Sequence, residues 1–298
     1  MKTALRTLAF ALPFLVAPAT AQGPEPSGAP EVGPARGTLL LAGGSIQSPV
    51  IFETFLELAG GPDAPIVVIP TAGGAPAYSQ DSPALRRFAQ RSGANRVTVL
   101  HTYDREEADS EGFVAPLRQA RGVWFGGGRQ WRLVDSYLHT RVHRELLALL
   151  ERGGIIGGSS AGATIQGSYL ARGDTRTNTI MMGDHQEGLA LLKDVAVDQH
   201  LLRRNRHFDL LEIIDAHPHL LGIGLDEDTA IIVRGDTFEV VGSSYVAIYD
   251  KRHRIDSGGS FYFLAPGDRY DLAQRKASRP TRTFDPLERV VETPAEAP

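Results

Sequence analysis

The 298-residue chain contains no cysteine. Disulfides, thiolate-held metals and a cysteine nucleophile are therefore excluded. Neither sign of charge dominates: 31 Lys and Arg against 35 Asp and Glu leave a formal charge of -4. That balance suggests neither a basic nucleic-acid surface nor a like-charge docking tail. No apolar run is long enough to span a bilayer; Leu8 to Val16 is far too short. Three glycine loops are present, Gly43-Gly44-Ser45, Gly126-Gly127-Gly128-Arg129-Gln130 and the turn around Ser160. None has the spacing of a dinucleotide fingerprint or the Gly-Lys-Ser/Thr ending of a phosphate loop. No cofactor is expected.

The N-terminus has the layout of an export signal over 1–21. Lys2 and Arg6 precede the apolar run, and Ala19-Thr20-Ala21 closes it with small residues. Residues 22–36 are rich in Pro, Gly and Ala and read as a linker. The absence of Cys leaves no lipid attachment after the cleavage point. The expectation is a secreted or periplasmic chain that begins near Gln22 and has no membrane association after cleavage. A single α/β domain is expected over 37–285, followed by a flexible tail over 286–298.

From Gly37 onward, short apolar runs alternate with amphipathic segments. Thr38 to Ala42, Ile66 to Ile69, Val97 to Leu100, Gly122 to Phe125 and Gly154 to Gly157 read as strands. Ile51 to Leu58, Pro83 to Arg91 and a broken stretch from Gln130 to Leu150 read as helices. Continuous apolar strands with helices between them predict a mostly parallel sheet sandwiched by helices. Ala230 to Val233, Phe238 to Val241 and Tyr245 to Ile248 are joined by short turns and predict antiparallel additions at the C-terminal side.

The segment Gly157-Gly158-Ser159-Ser160-Ala161-Gly162-Ala163 follows the strand ending in Ile155-Ile156. A serine flanked by glycines between a strand and a helix fits a nucleophile elbow with Ser160 at its apex. A serine hydroxyl needs a base, and the base needs an orienting group. Of nine histidines, His200 stands out, because Val197 leads into Asp198-Gln199-His200 and then Arg203-Arg204-Asn205-Arg206. So many polar groups after an apolar run are expected to face a cleft. The N–H of Ala161 and the Gly127-Gly128 backbone are candidate oxyanion donors.

Four segments together resemble the cyanophycinase and aspartyl-dipeptidase family of serine peptidases. They are Phe125 to Gln130, Gly158 to Ala163, Asp198-Gln199-His200 with Arg204 and Arg206, and Gly224 to Ala230. The resemblance covers nearly all of Gly37 to about Asp271, and it is closer to cyanophycinases than to the shorter dipeptidases. It implies a fold related to class I glutamine amidotransferases, with serine replacing their cysteine nucleophile. Ser160 would be nucleophile and His200 base. Gln130 would line the cleft, with Asp198, Gln199, Arg204 and Arg206 in the pocket. Arginines suit the carboxylates of an aspartyl substrate. The implied partner is a peptide or cyanophycin-like substrate, and a homodimer is implied.

Two departures stand out. The resemblance implies a catalytic Glu between the nucleophile and the histidine, yet Arg172 to Asn178 contains none. Asp174 is the candidate orienter, with a plain turn as its other reading. Asp184, Glu187 and the more distant Glu227 are alternatives. Second, Asp209 stands where cyanophycinases carry a further Arg; it is expected to touch substrate or to pair with Arg206. The activity implied is hydrolysis of aspartyl amide bonds through an acyl-enzyme. Two other classes remain open: a binding protein that has lost catalysis, and a metal hydrolase using His217, His219, Asp226 or His185.

Overall fold

The computed structural model describes residues 30–253 and 258–280. The expected signal segment, residues 22–29 of the expected linker and the expected tail lie outside those residues. The strands are β1 (Thr38–Ala42), β2 (Ile66–Ile69), β3 (Val97–Val99), β4 (Gly122–Phe125), β5 (Ile155–Ser159), β6 (Gly167–Tyr169) and β7 (Leu192–Gln199). They continue with β8 (Leu221–Leu225), β9 (Thr229–Arg234), β10 (Thr237–Gly242), β11 (Val246–Asp250), β12 (Tyr262–Leu264), β13 (Arg269–Asp271) and β14 (Lys276–Ser278). The helices are α1 (Pro49–Ala59), α2 (Pro83–Ser92), α3 (Arg105–Ala108), α4 (Glu111–Gln119), α5 (Trp131–Tyr137), α6 (Arg141–Glu151), α7 (Ala161–Thr164) and α8 (Leu210–Ala216).

Among the described residues the strands form a nine-stranded sheet, ordered β14-β13-β10-β9-β1-β5-β4-β2-β3, and a five-stranded sheet, ordered β12-β11-β8-β7-β6. In the large sheet, β1, β5, β4, β2 and β3 pair in parallel, whereas β9, β10, β13 and β14 are antiparallel. The sheet is thus mixed rather than mostly parallel. The antiparallel half arises because β9 returns through a tight turn onto β10 instead of crossing over. β9 and β10 join this sheet as expected. The strand expected from Tyr245 instead forms β11 and pairs with β8 in the smaller sheet.

Side-chain alternation along β1 shows how the layers are built. Leu39 and Leu41 enter one core with α4, α5, α6 and the facing residues of β7 and β8. Leu40 and Ala42 enter the other, beneath α1 and α2. In that second core Phe52, Phe55 and Phe88 pack around Trp124, with ring centroids 5.1–6.3 Å apart. The period of two sends alternate residues to opposite faces, and burial of all five β1 residues follows from cover on both faces. The far face of the small sheet is covered by α8 through Ile213 and Ile214 against Tyr249 and Leu201.

Residues 30–36 do not behave as a free linker. Asp236, in the β9–β10 turn, accepts N–H groups of Glu31, Val32 and Gly33 at 2.8–3.0 Å. The Val32 carbonyl accepts Lys193 N–H at 2.9 Å. These bonds fasten the chain to the turn before it enters β1.

Candidate active site

The parallel strands end at one edge, where ligands of open α/β sheets bind. β5 stops at Ser159 and α7 starts at Ala161, which leaves Ser160 alone in the turn. Its backbone adopts φ 57° and ψ -116°, a sparsely populated conformation costing about 1–3 kcal/mol. Three backbone bonds hold it there. Ser160 N–H donates to Ala42 O at 2.9 Å, and Ser160 O accepts from Ala163 and Thr164. Flanking glycines are required by close packing: a Cβ on Gly158 would lie 2.1 Å from Gly162 O, and one on Gly162 would lie 2.3 Å from Phe125 O. The sequence Gly-Ser-Ser-Ala-Gly thus produces the elbow it suggested.

His200 follows β7 in a turn of its own, at φ 56°. Its N–H donates to Gly43 O, and its imidazole lies so close to Gly44 that a Cβ there would sit 2.3 Å from Cε1. Asp226 braces the same turn by accepting Leu202 and Arg203 N–H at 2.9 and 3.0 Å. The outcome is a 2.9 Å contact between Ser160 Oγ and His200 Nε2. On the other side of the ring, Nδ1 is 2.6 Å from Glu227 Oε1. An ionised carboxylate only accepts, so Nδ1 carries the proton and Nε2 presents its lone pair to the serine hydroxyl.

The acid on His200 is therefore Glu227, and Asp174 is not. The Asp174 carboxylate accepts the N–H groups of Arg176 and Thr177 at 2.9 Å, closing a local turn. Asp184 is bound to Thr175 and His185, and Glu187 pairs with His139. Glu227 reaches the ring because β8 belongs to one sheet and β9 to the other; the short link between them returns to the end of β1. Asp228 pins that link by accepting Ser48 N–H, Ser48 Oγ–H and Gln47 N–H.

Burial, the largest influence on His200, pushes its imidazole below the usual 6.5; the Glu227 hydrogen bond opposes this, and Arg204 and Arg206 add to the downward push. A protonated ring cannot accept the serine proton. kcat/KM is accordingly expected to fall on acidification through an apparent pKa below 6.5, with a plateau at neutral pH. A pH profile of the free enzyme checks this, and a controlling acidic limb above 6.5 would contradict it.

The expected pocket residues separate into two groups. Gln130, Asp198, Gln199 and Arg206 are buried. Gln130 Nε2 donates to Ala171 O at 2.6 Å, and Gln199 accepts Arg206 Nη1 through both its backbone and side-chain oxygens at 3.1 Å. Both Asp198 oxygens are held by Arg172, at 2.8 and 2.9 Å. Asp198, Gln199 and Arg206 are thus held inside the wall behind His200, while the buried Oε1 of Gln130 has no hydrogen-bond partner among the described residues. Arg204 is exposed, and Asp209 is half-buried. Asp209 pairs with Arg172 at 2.5 Å, not with Arg206.

Arg172 is the residue that sequence reasoning missed. It is buried and bridges two carboxylates from β7 and the start of α8. Arg172→Met would leave the fully buried Asp198 unpaired, at a cost of about 3–5 kcal/mol. Urea unfolding should show that loss as a lower midpoint at unchanged slope. An unchanged midpoint would mean that Asp198 finds another partner.

Of the expected oxyanion donors, Ala161 directly follows the serine, Gly127 packs against it and Gly128 packs against Ala72. Gly127 is so near that a Cβ on it would sit 3.4 Å from Ser160 Cβ and 3.8 Å from Oγ. Gly127 and Gly128 are exposed, and among the described residues neither N–H has a hydrogen-bond partner. Ala161 opens α7, where the first N–H groups have no acceptor within the helix. The histidines considered for a metal do not converge. The His217 ring packs on Tyr169 and on His219, while Asp226 is spent on the His200 turn. His185 is bound to Asp135 and Asp184.

A serine on a strained turn, bonded to an imidazole whose second nitrogen is held by a carboxylate, defines a serine-type hydrolase. Residues 39–241 match Peptidase family S51, and the chain belongs to that family of peptidases. It is 35% identical over 228 residues to a cyanophycinase of Synechococcus elongatus, covering 73% of this chain and 69% of the relative. It is 32% identical over 259 residues to a cyanophycinase of Nostoc sp., covering 80% and 86%. In fold it resembles a peptidase from an acI-B1 Actinobacterium, with a TM-score of 0.61 and 24% identity over 79% of this chain and 97% of the other. A putative peptidase E from Listeria monocytogenes gives 0.51 and 20%, over 70% and 99%.

Proposed function

We propose that this peptidase hydrolyses aspartyl-linked amide bonds in the manner of a cyanophycinase, through an acyl-enzyme on Ser160. The observation that carries the mechanism is the unbroken chain from Ser160 Oγ to His200 Nε2 and from Nδ1 to Glu227. Ser160 Oγ attacks the carbonyl carbon while His200 Nε2 takes the hydroxyl proton. The oxyanion is met by the N–H of Ala161 and the free N–H groups of Gly127 and Gly128. His200 then gives the proton to the leaving amine. Water, deprotonated by the same nitrogen, releases the acyl group and restores the serine. Glu227 keeps the ring in the required tautomer and faces the imidazolium that forms.

The substrate class rests on the two cyanophycinase relatives and on exposed Arg204, whose charge acts on His200 from beside the site. Kinship with class I glutamine amidotransferases is supported by the strand–elbow–helix placement of the nucleophile. Export before action is supported by the basic, apolar and small-residue order of 1–21. Incubation with cyanophycin and with α- and β-aspartyl dipeptides, followed by product masses, tests the substrate. β-Aspartyl-arginine released from cyanophycin is the expected result. Cleavage confined to peptides without aspartate would refute it.

A further inference from the structure

Along the active edge, the strand order β1-β5-β4-β2-β3 fixes the order of the loops. His200 packs on Gly44 after β1, Ser160 follows β5, Gly127 follows β4, Thr71 to Gly74 follow β2, and His101 to Tyr103 follow β3. Whatever lies after β2 and β3 is thus across Ser160 from the general base. Strands are spaced about 4.8 Å apart, so those loops lie roughly 10–14 Å from the serine.

An unpaired cation stands there. The Arg132 guanidinium donates to Ala72 O at 3.0 Å and lies 5.2 Å over the Trp131 ring. Among the described residues no carboxylate comes within ion-pair distance of it. Gly74 makes room for it, since a Cβ there would sit 2.2 Å from Nη1. Tyr78 and Tyr103 each meet the His101 ring edge-on at 4.8 Å. The Tyr103 hydroxyl, 3.3 Å from Thr71 O, lies within the field of Arg132. Tyr103 is 42% exposed, so this wall faces solvent. His101 is fixed by Thr71 at 2.9 Å.

We propose that Arg132, framed by Tyr78 and Tyr103, is a specificity residue that binds a carboxylate on the acyl portion of the substrate. The inference rests on the aspartyl-peptidase reading above. His200 must reach the leaving amine, so the amine side lies toward Gly44 and the acyl side extends over Gly127 toward Arg132. A branch one to two residues long spans up to about 7 Å of that distance, and the arginine side chain spans the rest. A planar guanidinium with no internal carboxylate partner selects a carboxylate over a neutral amide or a cation.

Two peptides separate the possibilities, both with an acyl-side aspartate whose α-carbonyl forms the scissile bond and whose β-carboxyl carries a branch of glycine or of glycinamide. The protein should prefer the free glycine carboxylate by about ten-fold in kcat/KM, carried by KM, and Arg132→Gln should collapse that ratio toward one. Equal ratios in the protein and in Arg132→Gln would overturn the proposal. Trp131 fluorescence in a Ser160→Ala background reads the same preference as binding, independent of turnover. Carboxylate-selective binding without cleavage of either peptide would uphold the subsite and refute the aspartyl-peptidase reading. Binding without selectivity, or no binding, would refute the subsite.

Discussion

Ser160→Ala is expected to lower kcat by about a million-fold while leaving the fold intact. Alanine keeps the Cβ, so the strained turn and its backbone bonds to Ala42, Ala163 and Thr164 are undisturbed. Only the attacking oxygen is lost, and His200 then has nothing to deprotonate at 2.9 Å. Residual hydrolysis of about a thousand-fold over water would come from the oxyanion donors and from binding alone. Steady-state kinetics on a protein with unchanged circular dichroism decides this. Loss of less than ten-fold would mean that another group makes the attack.

Glu227→Gln is expected to cost about 10⁴ in kcat with little change in KM. The amide keeps the shape of the side chain. It presents either a donor to Nδ1 or a weaker acceptor, so the tautomer needed at Nε2 is no longer enforced. Asp174→Asn makes the contrast, because its carboxylate caps the Arg176 and Thr177 N–H groups and pairs with the Arg176 guanidinium at 3.7 Å, away from His200. It should cost a small amount of stability and leave kcat within a few-fold. The reverse pattern, a large loss at Asp174 and a small one at Glu227, would overturn the assignment of the acid.

The parts of the site legible in sequence were those made by local chain geometry. A strand, a glycine-flanked serine and a helix determine the elbow within ten residues, so Ser160 and its neighbours Ala161 and Gly162 could be found by pattern. His200 was legible because its polar cluster follows an apolar strand. Glu227 was harder, since it comes 27 residues after His200 and reaches the ring only because β8 and β9 enter different sheets. Asp174 was attractive by its place between serine and histidine, yet the chain order here is serine, histidine, glutamate. The smaller sheet was missed for a related reason. Leu221-Gly222-Ile223-Gly224-Leu225 alternates apolar residues with glycine and carries little strand signal, and its glycines are explained only by Tyr249 and Leu201 packed against them. The pairing of Asp209 with Arg172 could not be read from spacing, because the partners lie 37 residues apart on separate elements.

The same distinction explains the pocket. Residue types that fit an aspartyl substrate turn out to be satisfied inside the wall, Asp198 by Arg172 and Gln199 by Arg206. Asp198, Gln199 and Arg206 are buried, whereas Arg204 is exposed.

The central claim is that His200, held by Glu227, activates Ser160. Intact-mass and peptide-mass measurement after treatment with a serine-directed fluorophosphonate tests it most directly. The expected result is one adduct per chain, located on Ser160, absent in Ser160→Ala and strongly slowed in His200→Ala. An adduct that persists in Ser160→Ala, or that forms on Ser160 equally fast without His200, would contradict it.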